Sequence, residues 1–126
     1  MKITLDNSDS DYKIQSYTEA TIAINNKVID YPMIVNRSGV YAWNVKTAND
    51  LHTSHFQDIL KHKLEIFILG TGTIRIFPAK DVAMLFSTNR IAFEVMDTGA
   101  ACRTYNILLS EGRDVSAGLF MQGNPS

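Results

Sequence analysis

One cysteine, Cys102, is all the thiol that these 126 residues hold. No disulfide can form within the chain, so nothing points to an oxidising compartment. An excess of either charge is missing too: 12 Lys and Arg stand against 13 Asp and Glu, a net charge of −1. That balance supplies no basic field, and nucleic acid is not an expected partner. Long hydrophobic runs are absent. The cleanest, "IFIL", is far short of a bilayer span, so membrane insertion is not expected. The opening "MKITLDNSDSDYK" has no apolar core of the signal-peptide kind, which sets the expectation of a cytoplasmic protein. Neither G-x-G-x-x-G nor a P-loop pattern occurs. No cysteine joins the three histidines in a ligand motif, so neither a metal nor a cofactor is implied.

What is present is globular. The sequence is 45% hydrophobic and 20% charged, a composition and length that suit one domain. The polar run "DNSDSD" at 6–11 reads as solvated. The expected organisation is a flexible or loosely ordered segment over 1–17 and a single α/β domain over 18–126.

Patterning then places the elements. Ala20, Ile22 and Ile24 alternate on one strand face. Asn25 and Asn26 suit a tight hairpin, since asparagine tolerates positive φ. Val28 and Ile29 open a return strand, and Pro32 marks an edge or a break. "NRSG" at 36–39 turns the chain into a strand at 40–43. The first third reads as an antiparallel meander. Over 49–62, Leu51, His55, Ile59 and His62 recur at helical spacing, which predicts a helix with His52, His55 and His62 on a solvated face. "LEIFIL" at 64–69 reads as a strand buried on both faces. A helix follows over about 79–88 with Val82, Leu85 and Phe86 inward. A strand at 91–96, a helix over about 99–110 ended by Gly112, and a strand at 115–121 complete the chain. Right-handed crossovers make the strands at 64–69 and 91–96 parallel. "GTGT" and "DTGAA" then share one sheet edge, where open α/β sheets place ligands.

That edge is the candidate site. Asp97 or Thr98 can cap the helix that starts there. Gly99 and Ala100 are small, and no glutamate closes the first turn from within. Its free amides favour an anion. Arg103, one turn in, fits a carboxylate such as Asp97, or a bound anion. Thr71, Gly72, Asp97, Thr98, Gly99, Ala100 and Arg103 therefore form a hypothetical ligand-binding notch. The alternative at the same residues is tight helix–sheet packing. Cys102 reads as a buried side chain or, alternatively, a helix-activated nucleophile. Glu65, Glu94 and Asp97 offer a weaker paired-carboxylate site.

"LGTG" at 69–72, "FP" at 77–78 and "EVMDTGAACRTYNILLSEGR" at 94–113 resemble a family of small α/β proteins of unknown biochemical function. That family includes the mitochondrial complex I assembly factor 3 and an adipogenesis-associated protein. The resemblance spans about residues 18–121. It implies a three-layer α/β fold with a central mixed sheet, flanking helices and an N-terminal antiparallel β layer. It implies assembly and protein-interaction roles and no catalytic residues. Its characteristic positions fall on Gly70, Gly72, Asp97, Thr98, Cys102, Thr104, Asn106, Glu111 and Arg113. Two turns depart from it. Asn89 and Arg90 stand where many relatives have a glycine, and Ala42 replaces a proline before Trp43. The expected function is a non-enzymatic, assembly-assisting domain with an unknown protein partner. The alternatives are a ligand in the notch near Gly72 and Gly99, and a cryptic enzyme using Cys102. A homodimer through a strand edge is compatible with the sequence.

Overall fold

Two asparagines in the left-handed region, Asn25 at φ 51° and Asn26 at φ 65°, close the first hairpin. The computed structural model describes residues 11–121. The hairpin joins β2 (Ile22–Ile24) to β3 (Lys27–Ile29), with Ile22 opposite Ile29. Positive φ at both turn positions matches the right-handed twist of the flanking strands. β1 (Ile14–Tyr17) adds on the other side of β2, antiparallel, to make a three-stranded sheet. The residues expected to be loose therefore include a strand. The ladder and the burial of Ile14 offset the cost of ordering β1. Asp11 pairs with Arg37 and Tyr12 O accepts from the Tyr105 hydroxyl; the rest of that expectation, residues 1–10 with most of "DNSDSD", lies outside the described residues. Ala20, expected on a strand, sits in the turn where Thr18 Oγ1 accepts from the amides of Ala20 and Thr21.

At Pro32 the chain leaves this sheet. β4 (Met33–Asn36) and β5 (Gly39–Ala42) form a hairpin in a second, five-stranded sheet. Asn36 Oδ1 accepts from Ser38 N–H at 3.0 Å and shapes the turn. The expected meander is thus split between two sheets, because proline cannot continue a ladder there. The large sheet has the order β5-β4-β8-β6-β7. β6 (Ile66–Gly70) lies parallel to both β7 (Ala92–Met96) and β8 (Val115–Leu119). β4 runs antiparallel to β8, so the sheet is mixed.

Alternation along the strands sends side chains into two cores. Met33, Val35, Ile68, Val115, Ala117 and Leu119 face the small sheet and α2 (Thr98–Ser110). Ile34, Phe67 and Leu69 face the other way, toward α1 (Lys80–Thr88) and the 48–61 segment. The molecule has three layers, with the mixed sheet in the middle and the N-terminal β layer beside α2.

The helix expected over 49–62 does not form. Three short 3-10 turns take its place, at Ala48–Asp50, Thr53–Phe56 and Ile59–Lys61. The buried positions are Ala48, Leu51, Phe56 and Ile59, not the histidine stripe. Two side chains compete for the backbone bonds of an α-helix. Trp43 Nε1 donates to the His55 carbonyl at 3.0 Å, and His55 Nδ1 accepts from His52 N–H at 2.9 Å.

Candidate functional site

β6 and β7 end side by side because they are parallel and in register, with Gly70 opposite Met96. The next residues of each strand are stitched together. Thr98 N–H donates to Gly72 O at 2.8 Å, and Gly72 N–H donates to Thr98 Oγ1 at 2.7 Å. The same hydroxyl donates to Phe120 O at 2.6 Å, just past β8. Thr98 therefore ties three adjacent strand ends. Gly72 takes φ 99°, which an L side chain resists.

Asp97 is the N-cap of α2, its Oδ1 accepting from Ala100 N–H at 2.9 Å. Ala101 N–H is held by Asp97 O at 2.9 Å. Most of the first-turn amides on which an anion would rest are therefore used within the chain. Arg103 does not pair with Asp97. Its Nη1 donates to the hydroxyl of Tyr17 on β1. Arg103 and Asn106, three residues apart on one polar stripe of α2, both reach the small sheet. Asn106, next on that stripe, holds β1 by both ends of its amide: Ile14 N–H donates to Oδ1 at 2.9 Å, and Nδ2 donates to Ile14 O at 2.8 Å.

A cleft of about 310 Å³ does lie at this edge, walled by residues 17–19, 72–73 and 97–99. Of the expected notch residues, Gly72, Asp97, Thr98 and Gly99 line it. Thr71, Ala100 and Arg103 do not. Thr71 is buried, and its hydroxyl donates to Ile74 O at 2.6 Å while accepting from Ile76 N–H at 2.9 Å. The wall supplied by Tyr17, Thr18 and Glu19 is not legible in the sequence, because only the packing of the small sheet brings that distant turn to this edge. Glu19 and Asp97 put two carboxylates on the cleft wall, and the Arg103 guanidinium, bonded to the Tyr17 hydroxyl, lies at its rim.

Beyond Thr71 the 72–79 loop carries Ile74 and Phe77 outward, 69% and 66% exposed. Arg75 lies over the Phe77 ring, 5.0 Å from its centroid. Ile76 points the other way and packs against the aromatic core.

Cys102 is 1% exposed, and burial pushes its thiol up to about 12. Burial thus works against the thiolate, the reactive form, at neutral pH. Glu65 and Asp97 sit at opposite ends of parallel strands, one before β6 and one after β7, so they form no carboxylate pair. Glu65 accepts from Arg113 Nε at 2.7 Å, and that bond, with one from Asp114 N–H, holds its carboxyl below the usual range. His52 and His55 stack with centroids 5.7 Å apart. No group of three or more His, Cys, Asp or Glu positioned to hold a metal occurs among the described residues.

A second cleft of about 180 Å³ opens at the opposite end of the sheet, between Asn36, Lys63, Arg113 and Ser116. Its cations are already paired: Arg37 with Asp11 at 3.1 Å, Lys63 with Asp114 at 3.8 Å, and Arg113 with Glu65. No motif marks it, since its walls come from three separated segments.

Comparison with known proteins matches residues 14–120 to a family model described as "Protein of unknown function (DUF498/DUF598)". The chain is 34% identical over 110 residues to the NADH dehydrogenase [ubiquinone] 1 alpha subcomplex assembly factor 3 of Bos taurus. That match covers 84% of this chain and 59% of the bovine protein. It is 26% identical over 104 residues to a 13 kDa major membrane protein of Francisella tularensis, covering 81% of this chain and 85% of that one. A solved protein from Bordetella parapertussis superposes with a TM-score of 0.84 at 27% identity, covering 90% of this chain and 98% of the other. Among the described residues no helix is long and apolar enough to cross a membrane.

Proposed function

We infer function from membership: this chain belongs to the DUF498/DUF598 family of proteins of unknown function, and we propose that it is a non-enzymatic, assembly-assisting domain that binds a protein partner. One observation carries the reading. The polar groups of the 94–113 signature are engaged in holding the chain together. Asp97 caps α2, Thr98 clamps three strand ends, Asn106 straps β1, and Arg113 pairs with Glu65. Cys102 is buried, and burial raises the pKa of its thiol. A signature used this way supports a shape presented to a partner better than a reacting centre. The relatives named as complex I assembly factors lend support, although the chain spans only 59% of the bovine relative's length. A cytoplasmic setting belongs to the same proposal.

Affinity capture from the native cell with quantitative mass spectrometry tests it. The expected result is one reproducible, stoichiometric partner, retained when Cys102 is replaced by serine. Capture of nothing above background removes the reading.

The cleft near Gly72 and Gly99 favours a second reading, binding of a small molecule. Its acidic wall selects neutral or cationic compounds over anions. A thermal-shift screen in which no amine or neutral metabolite raises the melting temperature eliminates this alternative.

A further inference from the structure

The 72–79 loop holds two large apolar side chains in water, and it does so on a firm base. Thr71 pins the loop from beneath through Ile74 O and Ile76 N–H, and Ile76 anchors it in the aromatic core. Ile74 and Phe77 are therefore displayed on a fixed support instead of on a loose tip, which is how contact side chains that bind with little ordering cost are presented. Arginine and aromatic residues are also enriched at interface centres. Arg75 stacks on Phe77 and has no carboxylate partner among the described residues.

The acidic cleft lies directly beside this loop, because Gly72 and Thr73 belong to both. It offers the ring of Tyr17 and two carboxylates, Glu19 and Asp97, which outnumber the one Arg103 guanidinium bonded to the Tyr17 hydroxyl. Glu19 is exposed and, among the described residues, has no ion-pair partner. A projecting, cationic, apolar loop adjoins a recessed, anionic cleft on one surface. A knob next to its own complementary hole closes under a two-fold axis, since each copy then gives a knob and receives one.

We propose that two copies of this chain associate about a two-fold axis, the 74–77 loop of each seated in the cleft of the other, with Phe77 against Tyr17 and Arg75 against Glu19. Charge decides this occupant over a membrane surface. Anionic lipid attracts clusters of cations near apolar residues, whereas this loop has Glu19 and Asp97 in the cleft beside it, and just beyond its end Lys80 and Asp81 offset each other. The proposal is independent of the partner-binding reading: a monomer that captures a partner overturns the one and leaves the other intact.

Sedimentation velocity from micromolar to sub-millimolar concentration tests it on the full chain. The wild type is expected to form dimers. Arg75→Glu and Glu19→Arg each bring like charges together, and each is expected to weaken the dimer by about tenfold or more. In a mixed dimer, the loop of the Arg75→Glu chain meets the cleft of the Glu19→Arg chain. The unaltered Arg75 of the second chain meets the unaltered Glu19 of the first. Both contacts are again between opposite charges, so the equimolar mixture is expected to regain the dimer. Both substitutions are on surface side chains, and circular dichroism of each checks the fold; Phe77→Ser serves as a third, uncharged disruption. A wild type that stays monomeric throughout overturns the proposal. So does a dimer indifferent to these changes, or a mixture that does not recover. A monomer that cosediments with phosphatidylcholine–phosphatidylglycerol vesicles assigns the loop to a membrane and equally overturns it.

Discussion

Arg90 carries φ 61° after α1, where Gly112 carries φ 79° after α2. Both residues close the same helix-ending motif. Arg90 N–H bonds Ser87 O at 3.0 Å and Ile91 N–H bonds Phe86 O at 2.9 Å. After α2, Gly112 N–H bonds Leu109 O and Arg113 N–H bonds Leu108 O. The motif favours glycine at its left-handed position. The departure read from the sequence, arginine where relatives have a glycine nearby, thus falls on a strained residue. Left-handed backbone costs an L residue about 1 to 2 kcal/mol. Glycine's freer unfolded chain cancels part of any relief, so Arg90→Gly is expected to stabilise by about 0.5 to 1 kcal/mol. A urea titration reads this as a higher midpoint at unchanged slope. An unchanged or lower midpoint would mean that the turn stores no strain. Cys102 shows the opposite relation at this scale. Its sequence position near a helix start suggests activation, but burial outweighs the nearby Arg103 charge and raises the thiol's pKa.

At the scale of elements, α2 is the part that the rest is fitted to. Ala101, Cys102, Tyr105 and Leu109 put one face on the large sheet. The neighbouring stripe docks β1 through Arg103 and Asn106, and Tyr105 adds a bond from its hydroxyl to Tyr12 O at 2.7 Å. Besides these, β1 is held by its ladder with β2 and by Ile14, its only buried residue. Asn106→Ala removes both of its bonds to Ile14 and is expected to cost about 1 to 2 kcal/mol. Amide exchange separates a local effect from a global one: protection at Ile14 and its β2 partners should fall while β6 and β8 keep theirs. Unchanged exchange at β1 would show that the strand is held by other contacts. The 48–61 segment carries the lesson in reverse. Its spacing fits a helix, yet the indole of Trp43 claims a carbonyl that the helix needs, and 3-10 turns result.

Across the whole molecule, the layers are closely packed over Gly118 in β8. A methyl group there would come 2.6 Å from Trp43 Cζ3 and 2.8 Å from Phe67 Cζ. Trp43 also lies 5.2 Å from Phe120 and 5.5 Å from Phe56, ring centre to ring centre, so it joins β8 to the 48–61 segment. Gly118→Ala forces these rings apart and is expected to destabilise by about 1 to 3 kcal/mol. Because the chain has one tryptophan, its emission reports the same event: a lower melting temperature should come with a red shift in the native state. A fall in stability with unchanged emission would place the strain elsewhere.

Local rules were enough for much of this. Positive-φ asparagines, a cap at Asp97 or Thr98, Gly112 and the parallel β6–β7 pair follow from residue types and spacing, because each depends on neighbours within a few positions or on a crossover of fixed hand. The family likeness, too, is carried by a continuous run of residues. The partners of long-range side chains are another matter. That Arg103 reaches Tyr17 instead of Asp97, and that Glu19 joins the cleft, depends on where the small sheet packs. The inward turn of Thr71 and the failure of the 49–62 helix depend on the aromatic core across the large sheet. Hydrogen-bonding side chains have several acceptable partners in sequence, and only the packed layers, by fixing distance and excluding water, leave each of them one.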